Sequence, residues 1–128
     1  MATVYVALDL ETTGLDPARD AIIEVGAVRF DDRGALERFT SLVRPGRQIP
    51  VQVSQLTGIT DRDVLDAPPF SALKGKLSQF VGDATLVGHN VGFDLGFLKA
   101  QGCLASNPSL DTLSLAMILM PNQNRYSL

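Results

Sequence analysis

The chain is poor in cysteine, histidine and positive charge, and each shortage excludes something. Cys103 is the only cysteine. No intrachain disulfide can form, and a metal site built from several thiolates is ruled out; a reducing, cytoplasmic setting is expected. The longest apolar runs, such as Val4–Leu8, are far too short to cross a bilayer, so no membrane partner is expected. No basic stretch precedes the first strand-like segment, so no signal peptide is visible. Eleven Lys and Arg stand against fourteen Asp and Glu, giving a net charge of −3 and a pI near 4.9. That is not the footprint of a protein gripping duplex DNA along a basic face. Any nucleic acid must be held locally.

What is present is a core. Apolar residues make up 45% of the 128 residues and charged residues 20%, which suits one folded domain spanning 1–128. Thr3–Leu10 reads as a buried strand, Ala21–Phe30 as a second and Ala35–Val43 as a third. Asp31-Asp32-Arg33-Gly34 is a hairpin turn that pairs the second and third antiparallel. Arg44–Pro50 is a loop. Val51–Leu65 holds one or two short helical turns around Gly58, with Asp61 as the N-cap of the second. Pro69–Val81 and Gly92–Gln101 are helices with apolar residues at helical spacing. Thr85–His89 is a strand between them. Ser109–Asp111 is a short strand end, followed by a helix over Thr112–Leu119 that Pro121 stops. The order predicts an α/β sheet, three antiparallel strands and then parallel ones, flanked by helices.

Asp9 and Glu11 sit two apart at the end of the first strand, where period-two geometry turns both side chains to one face. Two such carboxylates repel unless a cation lies between them. Mg²⁺ and Mn²⁺ accept hard oxygen ligands and keep positions open for phosphate. Thr12-Thr13-Gly14 follows directly, with hydroxyls and backbone N–H groups able to hold a nucleotide end. An isolated D-x-E is usually a solvated strand end; one followed by this turn is not. Asp94 lies where the fourth strand hands over to a helix, a place where α/β sheets gather sites. Alone it would be an ordinary first-turn acid. His89 reads as a strand-end histidine bonded locally, and Asp111 as the cap of the next helix.

Together D9-L-E-T-T-G-L15 and H89-N-V-G-F-D94 resemble the first two motifs of the DEDD (DnaQ-like) 3′→5′ exonucleases. Pro50–Phe70, with its L-T-G-I-T core, resembles the family's linking segment. D111-T-L-S-L-A116 and the Tyr126-Ser127-Leu128 ending also look like this group. The likeness is nearest to epsilon-type proofreading domains and to exonuclease domains fused to helicases. It implies a ribonuclease H-like mixed sheet. It further implies two Mg²⁺ or Mn²⁺ ions, with Asp9 bridging both, Glu11 binding one and Asp94 supporting the second. Thr12, Thr13, Gly14 and Leu15 would line the pocket of the 3′-terminal nucleotide, joined by Leu56, Thr57, Asn90 and Phe93. The implied reaction releases nucleoside 5′-monophosphates from the 3′ end of a single strand. The implied partners are that strand and a DNA polymerase or a fused helicase.

The family also needs a later H-x-x-x-x-D or Y-x-x-x-D, and neither occurs after Asp94. The expectation is therefore a domain incomplete at its C-terminus, with the last helices missing, an apolar face uncovered and little activity of its own. Two rival readings remain. A haloacid-dehalogenase phosphatase would use Asp9 as nucleophile, but Glu11 stands where that pattern has a second Asp. A catalytically dead scaffold or binding module would fit the acidic pI, but not three retained carboxylates.

Overall fold

A computed structural model describes residues 3–119. The helix stop at Pro121 and the Tyr126-Ser127-Leu128 ending lie outside them. Five strands form one sheet in the order β3-β2-β1-β4-β5. β1 (Tyr5–Thr12), β2 (Ile22–Asp31) and β3 (Gly34–Leu42) pair antiparallel; β4 (Thr85–Gly88) joins β1 in parallel, and β5 (Ser109–Asp111) joins β4 likewise. The predicted mixed sheet is the one observed. In the β2–β3 turn, Asp31 accepts the Arg33 N–H at 2.8 Å and Gly34 takes φ +123°, the self-bonded aspartate and permissive glycine that hairpins favour.

Alternation along the strands separates two faces. Val6, Leu8, Leu10, Val25, Ala27 and Leu86 point to one of them. It is covered by α3 (Phe70–Val81), through Phe70, Leu73, Leu77 and Val81, and by α4 (Val91–Ala100), through Val91, Leu95, Phe97 and Leu98. These spacings place one apolar stripe per helix on the sheet. Leu77, Leu86 and Leu98 are completely buried, each stabilising the fold by about 1.5–3 kcal/mol. The other face, with Ala7, Asp9, Gly26, Val28, Thr40 and Val87, borders an open cavity of about 620 Å³.

The segment after β3 closes the end of the sheet where β1 finishes. Its short helices α1 (Val51–Thr57) and α2 (Asp61–Val64) flank Gly58, which takes φ +77°. A second apolar cluster of Ile23, Ile49, Ile59 and Val64 fastens this segment to β2. The α2 cap differs from expectation. Thr60, not Asp61, is the N-cap: its side chain accepts the Asp63 N–H while Asp63 accepts the Thr60 N–H. This reciprocal box satisfies two orphan donors. Asp61 bonds the Ile49 N–H at 2.8 Å instead. The last described helix, α5 (Thr112–Leu119), leaves Leu115, Met117 and Leu119 exposed. Among the described residues no helix is long and apolar enough to cross a membrane.

Candidate active site

β1 runs two residues past the expected strand end, so Glu11 and Thr12 are held by the ladder. Asp9 lies opposite Gly26, Glu11 opposite Glu24, and a register shift follows between Glu11 and Thr12. Asp9 is exposed and Glu11 half-buried. Asp94 comes to them from the first turn of α4. It is only 4% exposed. Burial, then the charges of Asp9 and Glu11, push its pKa up from 3.8 to about 7, against the opposing pull of the Leu10 backbone N–H. Glu11 is also raised, first by burial, then by Asp9, then by Glu24. Three sequence-predicted carboxylates therefore share one electrostatic field.

The donor chemistry fits a hard divalent cation: oxygen ligands only, with negative charge that a cation would neutralise. Among the described residues, no three His, Cys, Asp or Glu side chains are gathered at the spacing of a closed metal cage. What converges at Asp94 is charge.

Two close approaches set the start of α4. A Cβ on Gly88 would lie 3.2 Å from the Leu8 carbonyl and 3.0 Å from Val91, so a larger residue would push β4 away from β1 by a few tenths of an ångström. Asn90 then adopts φ 60°, ψ 49°, a left-handed conformation that asparagine tolerates better than most residues. Its N–H is held at 2.8 Å by Asp111 from β5. Asp111 also accepts the Leu113 N–H at 2.9 Å. It caps α5, as expected, and also anchors the turn that delivers Asp94. That second role was invisible in the sequence.

The loop after β1 is locked from within. Thr13 is 3% exposed; its hydroxyl donates to Asp20 at 3.1 Å and accepts the Ala21 N–H at 3.0 Å, while its own N–H bonds the Ala21 carbonyl. The Thr13 side chain therefore supports the loop from within. A Cβ on Gly14 would collide with the Asp20 carboxylate. Thr57 is also engaged, donating to Val53 at the end of α1. Leu15 and Leu56 are 83% and 87% exposed. Phe93 is half-buried and tilted against Phe97, 5.1 Å between centroids.

His89 is bonded locally, as expected. The Thr112 hydroxyl lies 3.1 Å from His89 Nδ1 and 3.3 Å from the Gly88 carbonyl. Nε2 is buried with no partner among the described residues, and His89 lines the cavity that Asp9 also borders. Sequence reasoning missed Glu24. Its signal was a carboxylate inside the apolar run AIIEVGAV, on a strand whose register could place it opposite Glu11.

The fold and these carboxylates define a class. The exonuclease family (RNase T) matches residues 6–128, and the chain belongs to it. Members typically use divalent metals. Among its relatives, the DNA polymerase III subunit epsilon of Treponema pallidum is 39% identical over 127 residues, which cover 95% of this chain and 59% of that protein. The PolC-type DNA polymerase III of Bacillus cereus is 39% identical over 129 residues, 97% of this chain and 9% of that protein. The chain thus spans under two thirds of the length of these relatives. The solved structure of exonuclease X in complex with 5′ overhanging duplex DNA superposes with a TM-score of 0.80 at 28% identity, covering 96% of this chain and 68% of that one.

Proposed function

We propose that this domain is a metal-dependent 3′→5′ exonuclease. It hydrolyses the terminal phosphodiester of single-stranded DNA or RNA and releases nucleoside 5′-monophosphates, with two Mg²⁺ or Mn²⁺ ions held by Asp9, Glu11 and Asp94. The observation that carries this reading is the burial of Asp94, 4% exposed at the start of α4, within the field of the two strand-end acids Asp9 and Glu11. When bound, the cations would make the attacking water more acidic and stabilise charge on the departing 3′ oxygen.

The chain's own residues do the rest. Asp9, the most exposed of the three, presents its oxygens outward; Asp94 supports the metals from the buried side. The Thr12 hydroxyl, which donates to the Gly14 carbonyl at 2.6 Å, keeps its oxygen as an acceptor, and Asn90 offers its exposed amide to the terminal nucleotide. Leu15, Leu56 and Phe93 offer it apolar surface, and the Thr13–Asp20 lock keeps their loop rigid. The polymerase III names of the relatives support a DNA polymerase as partner. A helicase-fused setting is the other arrangement consistent with the motifs.

The test separates binding from turnover. Mn²⁺ titration followed by electron paramagnetic resonance should show binding by the chain that Asp9→Ala removes. A 5′-labelled single strand should shorten slowly from its 3′ end in Mg²⁺, and not at all with Asp9→Ala. Absence of Mn²⁺ binding by the unmodified chain would sink the proposal and favour the scaffold reading.

A further inference from the structure

An acidic chain with four carboxylates around its site must attract a polyanion by other means. Charge at the active-site end of the sheet is distributed unevenly, and the loop after β3 carries a pair of cations there. β3 ends beside the start of β2, which pairs with the end of β1. The loop Arg44-Pro45-Gly46-Arg47 therefore leaves the sheet at the end where Glu11 and Thr12 lie. Proline followed by a glycine at φ +71° is the pairing that type II turns use, and such a turn folds the chain back on itself. The flanking residues accordingly line one cavity of about 420 Å³, with Arg44 and Arg47 on it beside Gln48 and Asp61. Both arginines are exposed.

The neighbouring acids are engaged elsewhere. Asp61 accepts the Ile49 N–H, Asp63 closes the Thr60 box, and Asp16 accepts the Ala18 N–H and pairs with Arg19 at 3.6 Å. Among the described residues that is the only ion pair, so neither Arg44 nor Arg47 has a carboxylate partner there. The Arg47 guanidinium also donates to the Arg19 carbonyl. This places the cationic turn beside the loop that follows β1.

We propose that Arg44 and Arg47 form a phosphate clamp for the nucleic-acid strand, gripping the backbone at a nucleotide upstream of the one being removed. This rests on the nuclease reading and deepens it: the carboxylate site would take the terminal nucleotide, and the turn would take the strand behind it. Guanidinium forks suit phosphate oxygens better than ammonium groups do. The clamp accounts for strand binding by a chain of net charge −3 without a basic face.

The test compares a 12-nucleotide single strand with a nucleoside 5′-monophosphate. Binding is measured by fluorescence anisotropy (the mononucleotide by competition) in Ca²⁺ over a salt series. The double variant Arg44→Gln/Arg47→Gln should bind the 12-mer on the order of tenfold more weakly, with a log K against log salt slope shallower by about 0.7 for each lost contact. Mononucleotide binding should not change. Arg33→Gln, at the opposite end of the sheet in the β2–β3 turn, should leave the slope unaltered. Circular dichroism checks that each variant folds; if the double variant does not, Arg44→Lys/Arg47→Lys replaces it. That pair keeps the slope and loses part of the affinity, because the charges remain and the forks are gone. An unchanged slope in the double variant, an equal loss in Arg33→Gln, an equal loss of mononucleotide binding, or a lysine pair binding as tightly as the parent would each overturn the clamp alone. An unmodified chain that binds neither ligand would overturn the nuclease reading, and the clamp with it.

Discussion

Asp94 and Asp111 stand at the starts of two helices that follow two neighbouring parallel strands, yet their carboxyl groups are pushed in opposite directions. Asp94 is raised to about 7, by burial first and then by Asp9 and Glu11, with one backbone N–H from Leu10 opposing. Burial also works against the charge of Asp111. There the backbone N–H groups of Leu113, Asn90, Val91 and Ser114 prevail and hold it below the ordinary carboxylate value. Position at a helix start does not decide the state of an acid. The balance between donated N–H groups and neighbouring charges does. One aspartate is arranged to remain uncomfortable, as sites that bind or react often are; the other is arranged to hold two turns together.

That contrast can be broken in three ways. The largest expected effect is on metal. Asp94→Asn should weaken Mn²⁺ binding on the order of 100-fold, while Asp111→Asn leaves it nearly intact, as calorimetric titration would show. Equal losses would mean that both acids act only through the fold.

The next effect is on stability. The folded value of Asp94 lies above its ordinary 3.8, so the unfolded chain releases this proton first as pH rises. Its contribution to stability therefore falls between about pH 3.8 and about pH 7, and the loss persists above that. In chelator at pH 8, Asp94→Asn should raise the melting temperature by on the order of 5 °C; at pH 4 the gain should be small. A gain that does not vary with pH would remove the charge explanation.

The smallest effect belongs to Asp111. Its folded value is lowered, so its contribution is present above the ordinary 3.8 and lost as pH falls through the lowered value. Asp111→Ala should cost about 1 kcal/mol near neutral pH, as a lost N-cap does, and less near pH 3. Urea midpoints at the two values measure it.

The legible parts were those with local causes. Strand alternation, the Asp31–Gly34 hairpin, the apolar stripes of α3 and α4 and the placement of Asp9 with Glu11 all follow from spacing within a few residues. The misread cap has a local cause as well: Thr60 and Asp63 form a better box than Asp61 alone, and Asp61 is drawn away by Ile49, twelve residues distant. The bonding that buries the Thr13 hydroxyl is not visible in residue spacing. Its partner Asp20 lies seven residues on, beyond a loop whose path spacing does not predict.

By itself, the sequence determined which residue types could do chemistry and the order of elements carrying them, because backbone periodicity and turn preference act over short range. Only the tertiary structure decided that Asp94 would be buried in the field of Asp9 and Glu11, that Glu24 would face Glu11, and that Asp111 would hold Asn90. Each of those meetings joins residues more than ten positions apart. Strand register and the crossing of α4 over the sheet bring them together, and the packing of the whole core sets both.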